Sequence, residues 1–290
     1  MFEKLLLCTD FSEYATKISE CVPGLPGIRE IVLLHVFDAT HYHIQGWTYN
    51  PQIENAKIKL EEQKKHFESY GLQVTVRLDV ITSGDVSGCI ISAADKENVS
   101  LIVIGARGGN LIERTLLGRV AASVLRTTTH PTLVLNHNVI DDMNGVRFET
   151  VCPVILSKVI FPTDFSQPSK AALDVLKGMQ GIGTLVIIHV ITEGQTAAEI
   201  KTLKEETQER LNTLVKDLAA KGITAISHVR FGDPVDEILQ CAKEEEASLI
   251  FLCSHVEGWL HMLLKGERCI EMVIKAKRPV LVVRATHDLP

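Results

Sequence analysis

The sequence predicts an α/β chain of two tandem domains, each a doubly wound, open, parallel five-stranded sheet with helices on both faces. Three observations carry this. First, the chain repeats itself: Thr9-Asp10-Phe11-Ser12 returns as Thr163-Asp164-Phe165-Ser166, and residues 101–135 align without a gap on residues 249–283. Second, its short apolar runs are nearly continuous in Val, Ile and Leu, as in strands covered on both faces. Third, these runs alternate with longer segments of helical periodicity, the order of βαβ units wound in one direction and then the other.

The elements follow in order. In the first copy the strand-like runs are 5–8, 31–36, 74–80, 101–105 and 132–136, separated by helix-like segments 12–22, 52–70, 86–97 and 119–127. In the second copy the strands are 158–162, 185–190, 226–231, 249–253 and 280–284, and the helices 167–179, 197–220, 235–246 and 267–277. Asp10 to His35 and Asp164 to His189 have the same separation, and Gly84-Asp85 and Gly232-Asp233 precede matching helices. A polar stretch at 137–154 reads as the linker, giving domains at 1–142 and 143–290. The stretch 201–210, KTLKEETQER, reads as a solvated helix face.

Bulk properties narrow the function. The 290 residues are 46% hydrophobic and 23% charged, with a net charge of −6. That acidity argues against nucleic acid or an anionic membrane as the main partner. No apolar run approaches the roughly 20 residues of a spanning helix, and no signal peptide is visible at the start of the sequence. Seven cysteines without a CxxC read as reduced, buried thiols, so a cytoplasmic protein is expected.

The motif that carries chemistry is Gly105-x2-Gly108-x9-Gly118, running from the end of a buried strand to the start of a helix. Ligands of open α/β sheets sit there. Glycines let backbone N–H groups approach phosphate oxygens, and the amides of Gly118, Arg119 and Val120 are expected to be orphan donors of a helix N-terminus. Taken alone, the glycines also fit packing punctuation. In the second copy Cys253 and Val256 stand at the positions of Gly105 and Gly108, and only Gly266 remains. A fold that persists without two of them does not need them, so a ligand is the better reason.

These features together resemble the universal stress protein family: TDFS after the first strand, His-Val closing the second, and the glycine motif before the last helix. The likeness covers nearly the whole chain as a tandem pair and implies a Rossmann-like, adenine nucleotide alpha hydrolase-like fold binding ATP or AMP, with Mg²⁺ accompanying ATP. By that resemblance Thr9 and Asp10 would line the ribose and adenine crevice and Val36 would meet the adenine edge through its backbone. Gly105, Arg107, Gly108, Gly118, Arg119 and Val120 would surround the phosphates. The family usually has Ser or Thr after the third glycine; here Arg119 either replaces the hydroxyl with a charge-assisted bond or points to solvent. Asp10 also reads, without the resemblance, as a helix-capping residue beside Ser12.

The second copy reads as decayed, with Glu267 at the helix start where an anion would otherwise sit and Trp259 to Leu264 as a packing surface. The resemblance further implies that strands 132–135 and 280–283 pair the two copies within one chain, beside the option of a homodimer and a protein partner unidentified by the sequence. No catalytic or metal-binding set stands out; His41-Tyr42-His43 lacks a third ligand, and with Trp47 and Tyr49 it reads alternatively as an aromatic flap. The expected function is a nucleotide-binding stress-response regulator with the nucleotide in the first domain. A nucleotide-free scaffold and a slow ATPase are the alternatives.

Overall fold

The computed structural model describes residues 2–40, 51–106, 117–135, 155–194, 196–254 and 267–284. The chain divides into two compact units, Met1–Pro153 and Val154–Pro290. In unit 1 the elements are β1 (Lys4–Cys8), α1 (Glu13–Cys21), β2 (Glu30–Asp38), α2 (Pro51–Glu68), β3 (Gln73–Ile81), α3 (Val86–Lys96), β4 (Leu101–Gly105), α4 (Arg119–Thr127) and β5 (Thr132–Leu135). Its strands run parallel in the order β3-β2-β1-β4-β5. The winding direction reverses between β1 and β4, and a crevice opens at such a switch point beyond the strands' carboxyl ends.

Unit 2 repeats the plan with β6 (Lys158–Pro162), α5 (Gln167–Gly178), β7 (Thr184–Ile191), α6 (Ala197–Ala219), β8 (Ala225–Phe231), α7 (Pro234–Glu244), β9 (Leu249–Ser254), α8 (Glu267–Lys275) and β10 (Val280–Arg284). The strand order is β8-β7-β6-β9-β10, again all parallel. In each unit the core is the set of central strands. Leu5 to Leu7, Ile31 to Leu34 and Leu101 to Ile104 are buried in unit 1, and Val159 to Phe161, Leu185 to Ile188 and Leu249 to Leu252 in unit 2. Each such side chain stabilises its unit by roughly 1.5–3 kcal/mol.

One sequence expectation is corrected here. The runs at 74–80 and 226–231 are not buried on both faces; β3 and β8 each stand at one end of their unit's strand order, and their residues are half-buried or exposed. Arg77 on β3 pairs with Asp79 at 3.0 Å and with Glu97 at 3.1 Å. In unit 2 His228 on β8 meets Glu245 at 2.8 Å, and Lys158 meets the same carboxylate at 3.3 Å. The first helix falls where its pattern places it, between the caps Ser12 and Val22, and the chain runs on through a 3-10 turn over Val22–Gly24 that contains Pro23.

Six cysteines fall among the described residues and all are free thiols; Cys21, Cys241, Cys253 and Cys269 are buried, Cys8 and Cys89 half-buried. Burial pushes the thiols of Cys8 and Cys269 up to about 12 and those of Cys89 and Cys241 up to about 11. They are protonated and weakly nucleophilic at neutral pH.

Candidate functional site

The site begins with the turn that leaves β1. Thr9 Oγ1 accepts the Phe11 amide at 3.2 Å, Asp10 Oδ1 accepts the Ser12 amide at 3.0 Å, and Ser12 Oγ accepts the Ala15 amide at 3.2 Å to cap α1. Each side chain of Thr-Asp-x-Ser thus closes one step of the chain's reversal into the helix. Phe11 is held at φ 60°, a conformation unusual for an aromatic residue. Its ring rests on His35, centroids 4.4 Å apart, and His35 Nδ1 donates to the Thr9 carbonyl at 2.8 Å. Burial lowers the His35 pKa, so the ring is neutral near pH 7. Unit 2 reproduces the turn almost atom for atom: Phe165 at φ 61°, its amide 3.1 Å from Thr163 Oγ1, and His189 Nδ1 donating to the Thr163 carbonyl at 2.8 Å. The repeated TDFS and its partner histidine are therefore structural in both copies, whatever else Asp10 does.

Beyond this turn unit 1 holds a cavity of about 420 Å³. Thr9 and Asp10 line it from the end of β1, Val36 from β2, Gly105 from β4, and Gly118, Arg119 and Val120 from the start of α4. Seven of the nine residues singled out from the sequence thus share one cavity; Arg107 and Gly108 lie outside the described residues. So do His41, His43, Trp47, Tyr49 and the stretch Trp259 to Leu264. Sequence reading missed the apolar wall: Ala15 and Ile18 of α1, Val86 and Ile90 of α3, and Cys8 and Ile104 of the strands. The i, i+4 pair Val86 and Ile90 on α3 was the available signal.

The start of α4 differs from those of the other helices whose N-caps are described. Ser12, Asp85, Ser166, Thr196 and Asp233 each accept a backbone amide as the N-cap of α1, α3, α5, α6 and α7. Gly118, the N-cap of α4, makes no side-chain cap bond. The expectation for Gly118 itself is corrected: its amide is not an orphan but donates to the Ala106 carbonyl at 2.7 Å, which anchors the returning loop to the end of β4. The amides of Arg119 to Ala121 remain as donors that helix geometry cannot satisfy internally. They stand at the cavity wall with the positive end of the helix dipole, and Arg119 is exposed beside them. An apolar cleft bordered by one carboxylate, by unfilled amide donors and by a guanidinium suits a ligand with a flat, hydrogen-bonding body and an anionic tail.

In unit 2 other side chains stand at the corresponding positions. At the position of Gly105, Cys253 is buried and its Sγ lies 3.4 Å from the Pro168 carbonyl in the first turn of α5. Arg268, at the position of Val120, reaches the helix cap Asp233 at 3.2 Å. Asp164 keeps Oδ1 on the Ser166 amide at 3.0 Å, while its Oδ2 is buried without a hydrogen-bond partner.

The universal stress protein family model matches residues 1–136 and 156–284. The chain belongs to the universal stress protein family. A universal stress protein of Mycolicibacterium smegmatis is 25% identical over 280 residues, covering 88% of this chain and 87% of its own. One from Methanocaldococcus jannaschii is 29% identical over 157 residues, covering 47% of this chain and 95% of its own. The crystal structure of a universal stress protein from Archaeoglobus fulgidus superposes with a TM-score of 0.75 at 27% identity and covers 99% of both chains. The tandem arrangement of universal stress protein domains is thus shared along the full length. No helix among the described residues is long and apolar enough to cross a membrane, and no group of three or more metal-ligating side chains occurs among them.

Proposed function

We propose that this universal stress protein is a cytoplasmic adenine-nucleotide-binding regulator that holds one ATP or AMP in unit 1, Mg²⁺ accompanying ATP. The observation that carries the reading is the bare N-terminus of α4. Among the described α-helices with an assigned N-cap, it alone lacks a side-chain acceptor, and it lines the cavity that also gathers Asp10 and Val36. A phosphate at that end would supply the missing acceptor and meet the helix dipole and Arg119. Asp10 and the Val36 backbone at the other end would take the ribose and the base, as the family resemblance implies. The apolar wall from α1 and α3 fits the faces of a purine.

Unit 2 in this reading binds no ATP-like ligand, because Cys253 and the Arg268–Asp233 pair occupy the matching places. The test is calorimetric titration of the full chain with ATP and AMP, alongside thermal unfolding. One site per chain is expected, with stabilisation of about 2.7 kcal/mol at a ligand concentration 100 times Kd. Absence of any thermal shift, or two equivalent sites, would refute it.

A further inference from the structure

We propose that the groove between α5 and α6 of unit 2 is a second ligand site, selective for a small amphiphile: one anionic group, carboxylate, sulfonate or phosphate monoester, on an aromatic or aliphatic body. The groove encloses about 300 Å³, within the size range of small-molecule pockets. Its floor is Phe165 with Leu173 of α5 and Leu214 of α6, and its rim carries Lys170, Arg210 and Asp217.

The chemistry of the rim follows from how Arg210 is held. Its guanidinium lies 3.9 Å from the centroid of the Phe165 ring, and that ring stacks in turn on His189 at 5.0 Å. A guanidinium stacked through its face keeps its in-plane N–H donors for another acceptor. Among the described residues neither Arg210 nor Lys170 forms an ion pair. With Asp217 counted, the rim has a surplus of one positive charge, which complements a single anionic group.

Comparison within the chain shows that the lining of this groove is not a property of the fold. Lys59 over Phe11, at 5.3 Å, is the unit 1 counterpart of Arg210 over Phe165. Counting from these two stacks and from the two TDFS turns, unit 1 has Thr16, Ser19 and Gln63 where unit 2 has Lys170, Leu173 and Leu214. Polar positions have become two leucines and a lysine in the unit whose glycine motif is gone. Helix packing accounts for the two leucines but not for two cations at the rim without an ion pair among the described residues. The inference stands independently of nucleotide binding in unit 1, since all the residues it uses belong to unit 2.

The probe is the fluorescent aryl sulfonate bis-ANS with the full-length chain. Photo-incorporation followed by peptide mass spectrometry should place the label on peptides from 167–178 and 197–219. Titration with ANS should lose one class of site, its affinity falling by about tenfold, in Lys170→Glu combined with Arg210→Gln. Leu214→Gln, which restores the residue of unit 1, should weaken the same class. The uncharged analogue N-phenylnaphthylamine should bind that class more weakly than ANS and be indifferent to the two charge changes. Circular dichroism and thermal melts confirm that each variant folds, and the two charge changes are on exposed side chains. Labelling confined to other peptides, ANS affinity unchanged in the double variant, or equal binding of the neutral analogue would each overturn the proposal.

Discussion

Arg119→Glu separates the two ends of the proposed nucleotide site. The change installs in unit 1 the residue type that unit 2 carries at the aligned position, Glu267. Arg119 is exposed, so its charge acts through water. Two unit charges about 5 Å apart interact there by roughly 0.8 kcal/mol. Reversing one charge beside a phosphate that bears roughly two shifts the energy by about 3 kcal/mol unscreened. At physiological ionic strength that becomes about 1.5 kcal/mol, a little over tenfold in Kd. Folding is not at risk, because a carboxylate in the first turn of a helix is stabilising by about 0.3–1 kcal/mol. Calorimetry with ATP, AMP and adenosine at two salt concentrations reads the outcome. ATP and AMP should weaken by about tenfold, more at low salt, while adenosine stays within about twofold. If adenosine loses as much as ATP, or if ATP is unaffected, the start of α4 does not receive the phosphates.

Further outcomes follow from the same geometry. Asp164→Ala removes the acceptor of the Ser166 amide and should cost unit 2 about 1 kcal/mol in chemical denaturation without changing nucleotide affinity, whereas Asp10→Ala should lower both. His35 and His189 are held below their ordinary pKa of 6.5 by burial. The unfolded chain therefore takes up protons first as pH falls through 6.5, and stability should drop from that point downward. His35→Gln should flatten part of that dependence, and a profile unchanged by it would refute the assignment. Cys8, protonated and lining the cavity, should react slowly with N-ethylmaleimide and more slowly still with ATP bound. Acceleration by ATP would contradict its place in the cavity wall.

Much of this architecture was legible because buried parallel strands write themselves as unbroken aliphatic runs. LIVIG at 101–105 could hardly be anything else. The same rule failed at β3 and β8, where Arg77, Asp79, His228 and Arg230 sit among the aliphatics. β3 and β8 are covered on fewer sides than the central strands and carry ion pairs, and nothing local in the sequence says which run will stand there. The glycine motif located the site because it constrains backbone, which spacing records. The apolar wall was not legible, since Ala15, Ile18, Val86 and Ile90 look like any helix's core face until the cavity shows that they border open space. The groove over Phe165 was hidden for a different reason. Its cations come from α5 and α6, forty residues apart in sequence, and Lys201 to Arg210 reads as a solvated stretch when taken alone.

The absent cap on α4 has a consequence for how occupancy could be communicated. A helix end capped by glycine frays more readily than one capped by Ser, Thr, Asn or Asp, by roughly a few tenths of a kcal/mol. Ligand would then set how often the first turn of α4 is open, and the output of unit 1 would be local order itself rather than a change of shape. Amide exchange at Arg119 to Ala121 would report ligand concentration directly, while the equivalent turn of unit 2 would keep one rate under all conditions. A partner that recognises the ordered turn would need no other cue.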